Sequence, residues 1–274
     1  MGLRNDALGH VAVDFETYYD SDCSIQSSTI RNYVGNEKFD AYLVSVYAPN
    51  VQFVGHPKDF DWSLIKDYEP WVAHNAGFDA GVWLAERDKG NIVADFDPVW
   101  QCTADLCAYM QAPRSLKGAA YALLDTDVSK DVRDSMKGLN WNDIVGKGMA
   151  EDVLNYAMRD AELCWQLWDR FADQWPDTER QVSQLTRDMG YRGVKVDEAK
   201  IDAALSTLDQ VAFDSHASIP WVNEYDPKYK KNYPPTSVRG LALTCGKHGI
   251  EPPASTAEDS EERQAWEAAY GKKF

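Results

Sequence analysis

The stretch His10-Val-Ala-Val-Asp-Phe-Glu-Thr17 alternates apolar and polar side chains in the way that β-strands do. Side chains two residues apart on a strand point to the same face, so Asp14 and Glu16 lie side by side. The opposite face carries three apolar side chains that suit a core: Val11, Val13 and Phe15. Two adjacent carboxylates favour a bound cation, whereas a sheet with one solvated face explains the same alternation. For an isolated Asp-x-Glu pair, the solvated face is the better interpretation.

Composition limits the kind of ligand that the chain can bind. A length of 274 residues allows one large domain or two smaller ones, and a hydrophobic fraction of 44% is typical of globular proteins. The net charge of −16 argues against a broad phosphate-binding surface, because non-specific affinity for nucleic acid comes mostly from Lys and Arg. An acidic chain still binds a polyanion where divalent metals sit on clustered carboxylates. We therefore expect any nucleic-acid binding to be local and metal-dependent.

The cysteines and the apolar segments predict the compartment. The five cysteines form no Cys-x-x-Cys pair of the kind that holds zinc, and their odd number favours reduced thiols in an intracellular protein. The sequence shows no secretory signal and no segment with the roughly 20 apolar residues of a membrane span. We expect a cytoplasmic protein with no membrane partner.

Short strand-like and helical segments follow the first strand in an order typical of α/β proteins. Residues 41–47 and 51–54 predict an antiparallel hairpin, and residues 70–73 predict a short buried strand. Helices are expected at 60–68, 80–87, 104–111 and 115–124, a further strand at 98–102, and loops from 125 to 143. The expected fold is an α/β sheet flanked by helices.

The sequence His74-Asn-Ala-Gly-Phe-Asp79 stands between the predicted strand at 70–73 and the helix that follows it. Active-site groups of α/β proteins collect at such strand-to-helix junctions. Asn75 is equally well explained as a helix cap, and Asp79 as a favourable charge in the first helical turn. From these residues alone, both interpretations stay open.

The most secure helix runs from 149 to 175, where neither Gly nor Pro interrupts the sequence before Pro176. Its apolar stripe repeats at spacings of three and four: Val153, Ala157, Cys164, Leu167, Trp168, Phe171 and Trp175. Asp160 occupies the position that completes the stripe, where an unpaired charge is costly and needs a cation, hydrogen-bond donors or protonation. A structural salt bridge would supply a partner, but Tyr156, one turn earlier on the same face, favours a functional site.

Together these three segments resemble the motifs of the DnaQ-like family of 3′–5′ exonucleases, which have a ribonuclease H-like fold. The first family motif, Asp-x-Glu on the first strand, is Asp14-Phe-Glu16. The second, Asn-x-x-Phe/Tyr-Asp, is Asn75-Ala-Gly-Phe78-Asp79, and the third, Tyr-x-x-x-Asp on a late helix, is Tyr156-Ala-Met-Arg-Asp160. A Tyr four residues before the last Asp is typical of the tyrosine subclass, DEDDy, which includes the proofreading domains of DNA polymerases.

The resemblance implies a two-metal phosphodiester hydrolase with a ribonuclease H-like mixed sheet. It implies four carboxylates as ligands of two Mg²⁺ or Mn²⁺ ions, with Asp14 shared between them: Asp14, Glu16, Asp79 and Asp160. Tyr156 would be a further catalytic residue that orients the attacking water. It would not deprotonate that water, because a phenol with a pKa near 10 is a poor base at neutral pH. The resemblance also implies three contacts to the terminal nucleotide: Thr17, Asn75 and Phe78.

The segment after Pro176 is similar to the one that follows the exonuclease domain in family A DNA polymerases. The similarity rests on a helix, the turn Tyr191-Arg-Gly-Val-Lys-Val-Asp197 and a second helix from 198 to 216. We therefore expect an exonuclease domain over residues 1–175. Residues 176–274 would form a helical extension that resembles the start of a polymerase thumb, without palm or fingers.

The expected function is hydrolysis of DNA from its 3′ end to nucleoside 5′-monophosphates, in proofreading or DNA replication. The expected partners are a single-stranded or frayed 3′ end and a separate DNA polymerase subunit. RNA trimming is an alternative, because no feature of the sequence reads a 2′-hydroxyl. A non-catalytic polymerase-binding module is another alternative, but a purely structural domain has no reason to keep all four carboxylates and the tyrosine.

Overall fold

The computed structural model describes residues 8–128 and 131–271. The chain divides into two compact units between Gly193 and Val194, beyond the domain boundary that the sequence predicts at Pro176. In the described ranges, no helix combines the length and the apolar composition of a membrane span. All five cysteines lie in those ranges, are buried and form no disulfide.

The first unit is organised around a five-stranded sheet. Its strands are β1 (Val11–Thr17), β2 (Ala41–Ala48), β3 (Val51–Gly55), β4 (Trp71–Ala73) and β5 (Trp100–Cys102). Their order is β3-β2-β1-β4-β5, with β2 antiparallel to β1 and β3, and β4 parallel to β1 and β5. This is the mixed α/β sheet that was expected for the chain. The predicted hairpin and the two short strands are confirmed.

Helices flank this sheet as expected, and two local predictions are wrong. The helices are α1 (Ile30–Val34), α2 (Ala76–Asp88), α3 (Thr103–Tyr109), α4 (Leu116–Leu124), α5 (Asp131–Ser135), α6 (Trp141–Gly146), α7 (Ala150–Phe171) and α8 (Asp177–Arg192). The predicted helix at 60–68 is a single 3₁₀ turn, Trp62–Ile65, after an Asp61 cap. The predicted loops at 125–143 contain α5 and the start of α6. Helix α6 begins there because Asn140 and Asp143 form a reciprocal capping box.

Both faces of β1 are covered. On one face, Val11, Val13 and Phe15 belong to a large apolar cluster that includes Trp62, Trp71 and Trp83. On the other face, Ala12 and Val72 pack against Ala161, Cys164 and Trp168 of α7. The face that carries Asp14 and Glu16 is therefore no ordinary solvated sheet surface, because a helix lies on it.

The second unit is mostly helical, in agreement with the expected helical extension. It consists of α9 (Glu198–Ser218), β6 (Tyr225–Asp226), β7 (Lys231–Asn232), α10 (Val238–Lys247) and α11 (Glu261–Tyr270). The two short strands pair in antiparallel fashion. Buried Asp226 forms an ion pair with Arg239 of α10 at 2.9 Å, which links the hairpin to that helix.

Candidate active site

The first part of the site is the α7-facing side of β1. Asp14 pairs with Ser45 and Glu16 with Leu43 in the antiparallel register with β2. Ala12, further back on this face, is fully buried, whereas Asp14 and Glu16 remain partly exposed. The two carboxylates therefore lie where the cover of the sheet opens towards solvent.

Asp79 joins this pair from the junction of β4 and α2. The helix begins at Ala76, earlier than the predicted start at 80, which places Asp79 in its first turn. The Asp79 carboxylate is 1% exposed and accepts a hydrogen bond of 3.0 Å from the backbone N–H of Phe15. Phe15 separates Asp14 from Glu16 in the sequence, so this bond fixes Asp79 beside the acidic face of β1.

Asn75 occupies the cap position of α2 without capping it through its side chain. Its backbone is left-handed, with φ 79° and ψ 52°, and its carboxamide makes no capping hydrogen bond. An L-residue in this conformation is strained, although Asn tolerates it better than most. The helix-cap explanation for the Asn75 side chain is therefore wrong. The side chain is exposed, which leaves the amide accessible to a ligand.

Helix α7 brings Tyr156 and Asp160 to the same face. The Ser45 hydroxyl donates a hydrogen bond of 2.9 Å to the carbonyl of Ala157, which fixes the helix against β2. Ala157 and Ala161 are fully buried, whereas Asp160 lies at the border of the buried stripe and is partly exposed. The Tyr156 hydroxyl forms a hydrogen bond with the Asp160 carboxylate. Tyrosine and acid therefore act as one unit.

Burial and neighbouring acids raise the proton affinity of the carboxylates at the site. Burial and the charges of Asp79, Glu16 and Asp160 hold the pKa of Asp14 well above its ordinary value. Burial, followed by the charge of Asp160, raises the pKa of Glu16 to about 8. Burial raises the pKa of Asp79 to about 8, against the effect of its hydrogen bond from Phe15. Four like groups in one partly dry volume need a compensating positive charge.

Tyr156 stays protonated in this environment. Burial and the charges of Glu16 and Asp160 raise the pKa of its phenol far above the ordinary value of 10. The hydroxyl is therefore a hydrogen-bond donor at physiological pH and does not act as a base.

The donor set suits hard divalent cations by its chemistry. The groups that converge are carboxylates, and Mg²⁺ and Mn²⁺ prefer oxygen ligands. Within residues 8–128 and 131–271, no three His, Cys, Asp or Glu side chains are arranged as a ready metal site. A bound divalent cation would lower these raised pKa values, because its charge favours the ionised form of each carboxyl.

Two of the predicted substrate contacts, Thr17 and Phe78, are linked through Tyr33. The Tyr33 hydroxyl donates to the Tyr18 carbonyl at 2.6 Å, so it accepts the hydrogen bond of 2.6 Å from the Thr17 hydroxyl. The Phe78 ring is half-buried, with its centroid 6.0 Å from that of Tyr33. Thr17 is only 6% exposed. These side chains form a wall next to Glu16 and Asp79.

Sequence reasoning missed three residues around the site: Ser45, His74 and Arg133. The His74 ring donates from Nε2 to the Arg114 carbonyl at 2.7 Å, and its Nδ1 lies 3.0 Å from the Thr103 hydroxyl. Burial lowers the pKa of His74 to about 4, so the ring is neutral. Arg133 lowers the pKa of Asp14 and Glu16 through its charge. No local pattern marks these residues, because their partners are distant in the sequence.

No family model and no curated protein sequence matches this chain. The catalytic core of RRP6 from Trypanosoma brucei is similar at 14% identity and a TM-score of 0.45, over 66% of this chain and 45% of that one. Escherichia coli RNase D, an exoribonuclease involved in structured RNA processing, is similar at 15% identity and a TM-score of 0.46, over 68% and 46%. Brucella melitensis NrnC with bound Mg²⁺ is similar at 16% identity and a TM-score of 0.41, over 66% and 81%.

The chain spans less than half the length of the first two of these structures. NrnC has also been solved bound to pGG. We assign the site from the residues of this chain alone.

Proposed function

We propose that this chain is a metal-dependent 3′–5′ exonuclease of the DnaQ-like type, which hydrolyses DNA from its 3′ end to nucleoside 5′-monophosphates. The observation that carries this proposal is the bond from the Phe15 backbone N–H to the Asp79 carboxylate. It joins the first and second sequence motifs beside the helix that carries the third. Asp79 and Asp160, from two other segments of the chain, thereby raise the pKa of Asp14 and Glu16 on β1, and a bound cation would offset the cost of ionising these acids.

The carboxylates would hold two Mg²⁺ or Mn²⁺ ions: Asp14, Glu16, Asp79 and Asp160. When bound, the ions supply Lewis-acid activation of water and stabilisation of the leaving 3′-oxygen. Two hydrogen bonds support this ligand set: the Phe15 N–H fixes Asp79 to β1, and the Ser45 hydroxyl fixes α7 to β2. The side chains of the acids would still have to converge on the ions, because they form no ready metal site among the described residues.

Tyr156 would orient the attacking water. Its phenol is neutral and lies one helical turn from Asp160, with which it shares a hydrogen bond. It can therefore fix the direction from which water approaches the phosphorus, and because the phenol keeps its own proton it would not act as the base. Loss of the hydroxyl should lower kcat more than it changes KM.

The 3′-terminal nucleotide would contact Thr17, Asn75 and Phe78. The exposed Asn75 amide offers both a donor and an acceptor, and the half-buried Phe78 ring offers an apolar edge to a base or sugar. The proposed substrate is a single-stranded or frayed 3′ end. The similarity of the segment after Pro176 to family A polymerases supports a role in proofreading or DNA replication, with a separate polymerase subunit as the partner.

A primer-degradation assay tests this proposal. A 5′-labelled DNA oligonucleotide and its RNA counterpart are incubated with the natural chain and Mg²⁺ or Mn²⁺. We expect stepwise loss of DNA from the 3′ end, loss of activity in Asp14→Ala and Asp160→Ala, and full activity in Glu151→Ala, an exposed acid on the same helix. Circular dichroism of each variant verifies that it is folded.

The possible results separate the alternatives. Faster loss of RNA than of DNA would identify an exoribonuclease. An inert natural chain that binds a polymerase would favour the non-catalytic module. Equal rates in Asp14→Ala and in the natural chain would refute the assignment of the site.

A further inference from the structure

Helix α5 (Asp131–Ser135) lies against the end of β1. The Tyr19 hydroxyl donates a hydrogen bond of 2.7 Å to the Arg133 carbonyl, and the Gly138 N–H donates one of 2.8 Å to the Tyr19 carbonyl. Tyr19 follows Thr17, the last residue of β1, by two positions. These two bonds fix the backbone around Arg133 beside the strand that carries Asp14 and Glu16.

Apolar packing holds the same segment against the catalytic face of α7. Met136 is buried in a cluster with Leu43 and Val153, and the half-buried Val132 and Tyr156 pack against that cluster. Arg133 is the residue after Val132, and its side chain is exposed. The guanidinium therefore extends from a backbone that is fixed between β1 and Tyr156.

The side chain of Arg133 is exposed on a segment that contacts both elements of the acidic centre. Helix α5 contacts α7, and the backbone around Arg133 is bonded to Tyr19 just beyond the end of β1. Among the side chains that the structure describes, Arg133 forms no ion pair with a carboxylate, unlike Arg159 on α7, which pairs with Glu162. Arg133 thus combines a backbone that is fixed beside β1 and α7 with a guanidinium that is available to an anion from solvent.

We propose that Arg133 is a further catalytic residue, whose guanidinium binds the non-bridging oxygens of the scissile phosphodiester at the 3′ end. This inference rests on the proposed function. In hydrolysis the water oxygen bonds to phosphorus and gives up a proton to solvent, while the bond from phosphorus to the 3′-oxygen breaks and that oxygen takes up a proton from solvent. Negative charge grows on the phosphoryl oxygens and the leaving group before that proton arrives. A guanidinium matches phosphate oxygens with two parallel N–H donors.

Two substrates distinguish the scissile phosphate from phosphates further along the strand. The first is an oligothymidylate, and the second is the 4-nitrophenyl ester of thymidine 5′-monophosphate, which contains a single phosphodiester. We expect Arg133→Gln to lower kcat about 10- to 100-fold on both, the usual range for a lost charge-assisted hydrogen bond. Arg133→Lys should recover part of the loss, because it restores the charge without the planar pair of donors.

Lys137→Gln is the matched control. It removes the same charge from an exposed residue of the same segment and should leave both rates unchanged. Equal losses in the Arg133 and Lys137 variants would overturn the inference, because they would indicate a general field effect. A loss confined to the KM of the oligonucleotide would also overturn it, since the contact would then be to another phosphate.

A pH profile separates direct contact from an indirect effect on the acids. If Arg133 acts only through Asp14 and Glu16, Arg133→Gln should shift the acidic limb of the rate profile to higher pH. The variant should then reach the same rate as the natural chain on the plateau. That result would overturn the inference. We expect the rate to stay low at the plateau.

Binding of thymidine 5′-monophosphate with Mg²⁺, measured by calorimetry, separates this inference from the proposed function. Binding that weakens at least about 10-fold in Arg133→Gln, in a chain that degrades neither substrate, would support the contact and refute the exonuclease. Full activity of Arg133→Gln would refute the contact and leave the exonuclease intact. A natural chain that neither binds the nucleotide nor degrades DNA would refute both.

Discussion

The two faces of β1 differ in what they contribute. The face with Val11, Val13 and Phe15 is almost completely buried in an aromatic-rich core, with Phe15 stacked near Trp62 at 6.3 Å. The other face places Asp14 and Glu16 under α7, where burial and mutual repulsion raise their pKa values. One strand therefore stabilises the fold through one face, while its other face concentrates charges that weaken it. Residues that cost stability in a well-packed unit identify the site.

Asp14→Asn should produce the largest loss of activity, without a loss of stability. We expect the rate on DNA to fall about 1,000- to 10,000-fold. Bound metal lowers the activation barrier by several kcal/mol, and each factor of ten in rate equals about 1.4 kcal/mol. In EDTA at pH 7 the variant should unfold at a higher temperature than the natural chain, since the amide needs no proton to be buried. Single-turnover rates and thermal melts measure both effects. A variant that is less stable and still active would reverse the assignment of the two faces.

Phe15→Ala should have the opposite effect on the other face of the strand. Removing a buried aromatic side chain that is 3% exposed should lower the free energy of unfolding by about 3 to 5 kcal/mol. Its backbone N–H, which binds Asp79, remains, so activity per folded molecule should stay within about tenfold of the natural value. Urea titration gives the stability, and Phe15→Leu serves as the milder control. A loss of activity without a loss of stability would contradict the comparison.

The pH dependence of stability should reveal the acidic face without any mutation. Glu16 and Asp79 have pKa values raised to about 8 in the folded chain, above their ordinary values of 4.5 and 3.8. Between these pH limits the folded state binds more protons than the unfolded state. The contribution of these two acids to the free energy of unfolding is therefore fully present below about pH 4 and falls as pH rises towards 8. The slope should reach at most about 1.4 kcal/mol per pH unit for each carboxyl that loses its proton.

Urea titrations in EDTA from pH 4.5 to 8.5 measure this slope. Mg²⁺ should reduce it, because the cation stabilises the ionised carboxylates. A chain whose stability rises with pH in EDTA would show that these acids are stabilised by partners in the fold. In that case the acidic face would be an ordinary ion-pair surface.

Ser45→Ala should have the smallest effect and tests how the acidic face is held together. Ser45 is fully buried and donates to the Ala157 carbonyl, which connects β2 to α7 opposite Asp14. Loss of this bond should lower the free energy of unfolding by about 1 kcal/mol. It should also lower kcat a few-fold, because α7 would no longer be held at a fixed distance from the sheet. Chemical denaturation and steady-state kinetics measure the two effects. Ser45→Thr, which keeps the hydroxyl but adds a methyl group, is the control.

Long periodic segments could be predicted from the sequence, and short ones could not. The alternation of β1, the hairpin of β2 and β3, and the stripe of α7 follow from one repeating pattern over many residues. Helix α5 has only five residues, too few for a periodic pattern to reveal, and Met136, the residue that follows it, is buried. The 3₁₀ turn at Trp62–Ile65 has the apolar residues of a helix, but Asp61 caps it as a single turn.

Spacing along single segments predicts the central strand with Asp14 and Glu16 and the place of Asp160 in the stripe of α7, whereas the mixed sheet and the role of Asp79 were expected only from the resemblance to the DnaQ-like motifs. The contacts from the Phe15 N–H to Asp79, from Ser45 to α7 and from Tyr19 to the backbone of Arg133 are visible only in the folded chain. These contacts join residues that are far apart in the sequence. They depend on the order of the strands and on the packing of α7 and α5, and a local pattern contains no information about either.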